Sequence, residues 1–266
     1  MASASATTSS EPIARRFAAL RERGRRALVC YATAGHPDPS RFVELARGLE
    51  EAGADVLEVG VPFSDPMADG PIIQGSSQQA LAHGVDFTRT LALIAEARLQ
   101  IPVVLFTYLN PLMAAGSAAL ARAADAGAHG VLVTDLPVGA DPEREAWIGD
   151  GPLAFVRLVA PTTPPARMAE IARHGGGFVY LISRLGVTGV RDDLPAELPR
   201  TVEALRRATP LPICVGFGIS RPEQAAAVGR LADGVVVGSA LVRAAGAGVG
   251  EALALARGLR AALDEV

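Results

Sequence analysis

The chain has 266 residues, half of them apolar, with 28 glycines, 19 prolines and a net charge of −3. That near-neutral balance gives no basis for binding nucleic acid or an anionic membrane surface, and no apolar run approaches the roughly 20 residues of a membrane span. All 25 basic residues are arginine, so chemistry that needs a lysine amine, such as a Schiff-base aldolase or covalently held pyridoxal phosphate, is closed to this chain.

The opening "MASASATTSSEP" is small and polar, with no apolar signal core. Residues 1–11 read as a disordered tail, with a transit peptide as the other reading, and residues 12–266 as one catalytic domain. The arginine-rich "ARRFAALRERGRR" that follows has the period of an amphipathic helix. Strand-like runs then recur: "ALVCYAT" (27–33), "DVLEVG" (55–60), "PVVLFTY" (102–108), "GVLVTD" (130–135), "AFVRLVA" (154–160), "GFVYLIS" (177–183), "PICVGFG" (212–218) and "DGVVVGS" (233–239). Helical periodicity fills 40–52, 87–98, 117–126, 165–174, 200–208, 221–229 and 247–263, and "PIIQGSSQQALAHG" adds a short helix after the second strand. Eight strands alternating with helices predict a parallel (β/α)8 barrel, a TIM barrel, with the doubly wound open sheet as runner-up. The N-terminal helix is expected to cover the bottom of the barrel. Cys30 and Cys214 fall in apolar strands and read as buried, reduced thiols of a cytoplasmic protein.

Glu58 interrupts the second strand. Alternation puts it on the face of Val56 and Gly60, opposite Leu57, Val59 and Val61. If that face is the interior, the carboxylate lies near the catalytic mouth, where desolvation would raise its pKa toward neutrality. A structural carboxylate paired with an arginine is the competing reading. Asp69 follows in a loop rich in proline, serine and glycine.

Late in the chain, "SRLGVTG" (183–189), "VGFGIS" (215–220) and "VVGSAL" (236–241) place glycine with serine or threonine at the ends of strands six, seven and eight. Barrels bind phosphate in these loops, using backbone N–H groups and the N-terminus of a short helix. Ser239 is expected to cap that helix. Of the four histidines, only His36 falls at the catalytic end, and no His/Cys cluster has zinc spacing. Glu58, Asp65 and Asp69 could hold Mg²⁺, but the phosphate loops lie across the barrel from them. "GSS" at 75–77 lacks a positioned histidine and reads as loop. The residues thus describe carbon chemistry on a phosphorylated substrate, performed by two carboxylates without a metal or bound cofactor.

With those residues in view, the chain resembles the tryptophan synthase alpha subunit family from about residue 12 to its end. "LEVGVPFSDPMADGP" matches the family's second-strand signature almost residue for residue, and "YLISRLGVTG" and "GFGIS…GSA" match its phosphate-side motifs. The resemblance implies cleavage of indole-3-glycerol phosphate to indole and glyceraldehyde 3-phosphate. It implies that Glu58 protonates the indole ring at C3 and assists removal of the glycerol hydroxyl proton, while Asp69 holds the indole N–H. It also makes Tyr180 a neighbour of Glu58 and Thr188 a partner of Asp69 in the closed loop. Gly189, Gly218, Gly238 and Ser239 become phosphate-binding positions with Phe217 beside them, and Tyr31, Phe106, Leu132 and Val159 line the indole pocket. Arg184 matches a usual arginine of the loop after strand six.

The implied partner is a pyridoxal-phosphate-dependent beta subunit in an alpha2beta2 assembly, contacted through Pro62, Asp65 and the "TYLNPLMAAG" segment with Asn110. No cofactor is implied in this chain itself. A stand-alone indole-releasing lyase keeps the same chemistry without the partner. An inactive structural barrel is the reading from another class, and the presence of both Glu58 and Asp69 counts against it.

Overall fold

The computed structural model describes residues 11–182, 195–216 and 218–266. Strands β1 (Ala27–Thr33), β2 (Val56–Gly60), β3 (Val103–Thr107), β4 (Gly130–Val133), β5 (Ala154–Val159), β6 (Val179–Ile182), β7 (Ile213–Gly216) and β8 (Gly234–Val237) pair in chain order. Every pair is parallel, and β8 returns to β1 through Ala27 and Gly234 to close the barrel. The open sheet is thereby ruled out. Around it lie α1 (Glu11–Glu22), α2 (Pro39–Glu51), α3 (Pro71–Ala82), α4 (Phe87–Ala97), α5 (Leu109–Ala114) and α6 (Ala119–Asp125). They continue with α7 (Pro142–Gly149), α8 (Pro165–Arg173), α9 (Leu198–Ala208), α10 (Pro222–Gly229), α11 (Ser239–Ala247) and α12 (Val249–Asp264). The expected tail, 1–11, lies outside the described residues but for Glu11, which begins α1.

Strand alternation sorts the core into two shells. Leu28, Leu57, Val59, Val103, Leu105, Val131, Val235 and Val237 point outward and pack under the helices. Val29, Val56, Val104, Leu132, Val156, Cys214 and Val236 point inward. The inward set would leave an open lower end, and α1 fills it. Ile13, Phe17 and Leu20, spaced to share one helix face, join the interior cluster, with the Phe17 and Phe178 rings 5.7 Å apart. A Cβ at Gly130 would lie 3.0 Å from Ile13 Cδ1, so the glycine lets the helix seat against the strand.

Asp55, immediately before β2, locks this plug. Its carboxylate accepts from Leu28 N at 2.8 Å, from Arg16 of α1 at 2.7 Å and from Arg260 of α12 at 3.1 Å. The two ends of the chain are thus tied to the start of the sheet through one buried anion.

The structure also corrects several sequence expectations. The run 75–77 lies inside α3, where Ser76 Oγ donates back to Ile73 O at 2.8 Å and also lies 2.7 Å from Thr33 Oγ1 on β1. Two helices went unread: α5, because "LNP" resembles a turn, and α7, which is only eight residues long. The α7 start signal was present, since Asp141 caps Arg144 N with proline at the first position. Gly238, not Ser239, is the N-cap of α11, and Ser239 is its first helical residue.

Candidate active site

The upper end of the barrel gathers Glu58, Asp69 and the Tyr108 that bonds it. Glu58 projects inward from the middle of β2, in register with Tyr31 on β1 and Val104 on β3. It is 1% exposed, and its Oε1 has no hydrogen-bond partner among the described residues. No arginine pairs with it, so the structural ion-pair reading does not hold among the described residues. Burial alone pushes its carboxyl up to about 8. An unpaired buried carboxylate avoids the cost of its charge by keeping its proton.

Asp69 sits in the loop between β2 and α3, partly buried. Tyr108, directly after β3, donates to its Oδ2 at 3.0 Å while accepting from Ala68 N at 2.9 Å. Gln74 of α3 donates to the Asp69 carbonyl at 2.9 Å, so the loop is held from both sides. Burial pushes the Asp69 carboxyl up to about 6, with the Tyr108 hydrogen bond pulling the other way. Between about pH 6 and 8, therefore, Glu58 is a neutral acid while Asp69 is an anion.

Two tyrosines enter the mouth over glycines. The Tyr31 hydroxyl lies 2.0 Å from where a Cβ at residue 60 would sit, and the Tyr180 hydroxyl 2.5 Å from one at residue 216. Any side chain at Gly60 or Gly216 would expel the ring. Burial, with Asp69 near Tyr31 and Glu58 near Tyr180, raises both phenols above their ordinary range and keeps their protons on. Phe106 meets Tyr31 edge-on at 5.2 Å, which gives the pocket an aromatic wall. Leu132, fully buried and in register with Phe106, forms part of its floor.

On the other side of Tyr31 the β8 strand ends at Gly238, and a Cβ there would lie 3.7 Å from the Tyr31 Cβ. The α11 helix starts at this point, and among the described residues no side chain caps its first N–H groups. Gly218, after β7, has φ +83°, a left-handed conformation suited to glycine. Uncapped N–H groups at a helix start make a favourable anion site.

A family comparison decides what this arrangement belongs to. Residues 17–261 match the family described as "Tryptophan synthase alpha chain". The chain belongs to the tryptophan synthase alpha chain family. It is 49% identical over 257 residues to the alpha chain of Laribacter hongkongensis, covering 94% of this chain and 97% of that one. It is also 49% identical over 234 residues to that of Citrifermentans bemidjiense, covering 87% and 88%. Among solved structures, the alpha subunit of Legionella pneumophila superposes with a TM-score of 0.86 at 34% identity, covering 96% of this chain and 99% of that one. A Mycobacterium tuberculosis tryptophan synthase gives 0.87 at 36%, covering 94% and 97%. The activity is that of the family, the lyase step known as the alpha reaction in tryptophan biosynthesis.

Within this family frame, most of the anticipated residues converge on the barrel mouth: Glu58, Asp69, Tyr31, Phe106, Leu132, Tyr180, Gly218, Gly238 and Ser239. Val159 does not. It packs in the outer shell beneath the helices, and Leu158, one position earlier, joins the interior cluster in its place. Alternation along "AFVRLVA" carries that signal, because Val156 and Leu158 share a face. Pro62 is buried, whereas Asp65 and Asn110 are exposed. Thr188, Gly189, Arg184 and Phe217 lie outside the described residues. Tyr108 went unnoticed in the sequence, since nothing in "FTYLNP" marks a tyrosine that reaches a carboxylate on another loop.

Among the described residues, no three His, Cys, Asp or Glu side chains come together as a metal site. A cavity of about 610 Å³ lies apart, between α7 and α8, beside a buried Arg157. That guanidinium is engaged by Glu145 at 3.0 Å, by the His174 and Leu136 carbonyls and by the Phe155 ring at 3.5 Å, which makes it a structural pair.

Proposed function

We propose that Glu58 and Asp69 divide the cleavage of indole-3-glycerol phosphate between them. Glu58, protonated at neutral pH, gives its proton to C3 of the indole ring. The positive charge that develops on the ring is stabilised by the Asp69 carboxylate through the ring N–H. The Glu58 carboxylate then takes the proton of the glycerol hydroxyl as the carbon–carbon bond breaks. The bonding electrons return to the ring, indole leaves and the hydroxyl carbon becomes the aldehyde of glyceraldehyde 3-phosphate. Glu58 ends with a proton, as it began, so no cofactor in this chain is required. The observation that carries this reading is the contrast, at one barrel mouth, between a buried Glu58 whose Oε1 has no partner among the described residues and an Asp69 that accepts from the Tyr108 hydroxyl at 3.0 Å.

The remaining residues follow from that placement. Tyr31, Phe106, Leu132 and Leu158 supply an apolar slot for the ring, and Tyr180 stands beside Glu58. The phosphate is assigned to Gly218, Gly238 and Ser239 at the start of α11, and to Thr188, Gly189 and Phe217. The partner is a beta subunit that carries pyridoxal phosphate, in an alpha2beta2 assembly within the cytoplasm. The exposed Met67, in the Asp69 loop, and Met113, on α5, support docking at the barrel mouth.

Indole release by the purified chain, with and without a beta subunit, tests the assignment. Glu58→Gln is expected to lower kcat by about 10³-fold or more, as removal of a general acid–base does. Asp69→Asn should lower it by roughly 10²–10³-fold through lost electrostatic stabilisation. A Glu58→Gln chain with near wild-type turnover would overturn the mechanism. Full activity that a beta subunit leaves unchanged would favour the stand-alone lyase.

A further inference from the structure

His36, on the turn after β1, takes no part in the proton transfers above, yet it is buried and fully engaged. Its Nδ1 lies 2.9 Å from Gln79 Oε1 on α3, and its Nε2 lies 3.1 Å from the Val242 carbonyl on α11. A backbone carbonyl oxygen only accepts, so Nε2 donates to α11, while the Gln79 side-chain amide, which can turn its oxygen or its NH2 to the ring, meets Nδ1. Gly246, one turn further along the same helix, faces the same ring, with a Cβ placed there coming to 3.5 Å from Nε2. The imidazole is thus clamped between two helices, and each leads to one end of the site. Helix α3 carries Gln74, which holds the Asp69 backbone. Helix α11 starts beside Gly238 with no described side chain capping its first N–H groups.

An uncapped helix start has no local side chain to aim its N–H groups, so their position is set by how the whole helix is seated. We propose that His36 is a positioning residue that seats α11, and through it the phosphate end of the site, against the helix that holds Asp69. The proposal rests on the reading that the substrate phosphate lies at Gly238 and Ser239. Its effect falls on phosphate affinity and leaves the chemistry at Glu58 untouched. Gln79 fixes the ring plane, and the Val242 hydrogen bond transmits it to the helix.

The test compares His36→Phe, which keeps the bulk of the ring but cannot donate, with His36→Gln, which keeps a donor within reach of Val242. Steady-state indole release is measured on the full chain with its beta subunit, using inorganic phosphate and indole as separate competitive inhibitors. His36→Phe is expected to raise KM and the phosphate inhibition constant about tenfold, with kcat and indole inhibition within about twofold. His36→Gln should recover most of that loss. If His36→Phe does not fold, His36→Asn, too short to reach Val242, replaces it with the same expectation. Unchanged phosphate inhibition in these variants, or equal weakening toward phosphate and indole, overturns the proposal. A Gly238→Asp chain places a carboxylate where the phosphate is assigned. Phosphate inhibition that survives it would show that the underlying assignment has failed, and the role of His36 with it.

Discussion

Glu58 and Asp69 are both lifted by burial, and they differ in how deeply they are buried and in what else touches them. Glu58 has desolvation alone, with a bare Oε1, whereas Asp69 keeps the Tyr108 hydroxyl at 3.0 Å. Tyr108→Phe removes the bond that holds Asp69 down, so its carboxyl should titrate higher. The acid limb of the rate profile is then expected to move up by about 1 pH unit, from a hydrogen bond to a charged group worth roughly 1.5 kcal/mol. An acid limb that stays in place would show that Tyr108 does not tune Asp69. Glu58 also leaves a mark on stability. Its folded pKa of about 8 exceeds the ordinary 4.5, so its contribution is full below about 4.5 and is lost as pH rises through 8. Glu58→Gln should therefore be more stable than the parent above pH 8, by on the order of 5 kcal/mol, with the gap closing in acid. Equal unfolding free energies at pH 9 would contradict this.

Among the elements, the strands were legible because their β-branched runs are short and bounded, and each observed strand falls inside its predicted run. Helix α11 showed as a glycine-rich start, but its cap was misplaced by one residue, since a glycine cap leaves no side-chain mark. Helix α5 was missed because "LNP" resembles a turn, and α7 because "PEREAWIG" opens on a charged run with only Ala146, Trp147 and Ile148 apolar after it. Helix α1 was readable as amphipathic, and the sequence also pointed to the barrel's lower end. Its anchoring anion was not readable, because Asp55 meets Arg16 and Arg260 only after the chain has closed on itself. Asp55→Asn removes the buried partner of Arg260 and the anchor of the half-exposed Arg16, and is expected to cost about 3 kcal/mol in urea unfolding. A loss below ~1 kcal/mol would show the cluster to be solvated and weak.

For the whole molecule, the barrel brings together residues that the sequence holds far apart. Glu58 and Asp69 were visible because their motif is contiguous, and the glycines because turns expose them. The Val159 expectation rested on its match to a family position and not on the strand alternation that puts Leu158 on the interior face, since both faces of that strand are apolar. The slot that Gly60 provides for the Tyr31 hydroxyl became visible only in three dimensions, since the two residues meet across neighbouring strands. No described helix is long and apolar enough to cross a membrane. Among the described residues, the two exposed large apolar side chains, Met67 and Met113, both belong to segments that follow strands at the catalytic end.

The most direct measurement is a pH titration of the side-chain carboxyls in carbon-13-labelled protein, with Glu58→Gln and Asp69→Asn used to assign the two signals. Glu58 is expected to titrate near 8 and Asp69 near 6, leaving one acid and one anion at pH 7. Both carboxyls titrating below about 5, as unperturbed groups do, would contradict the account, since no protonated acid would then stand ready at the ring.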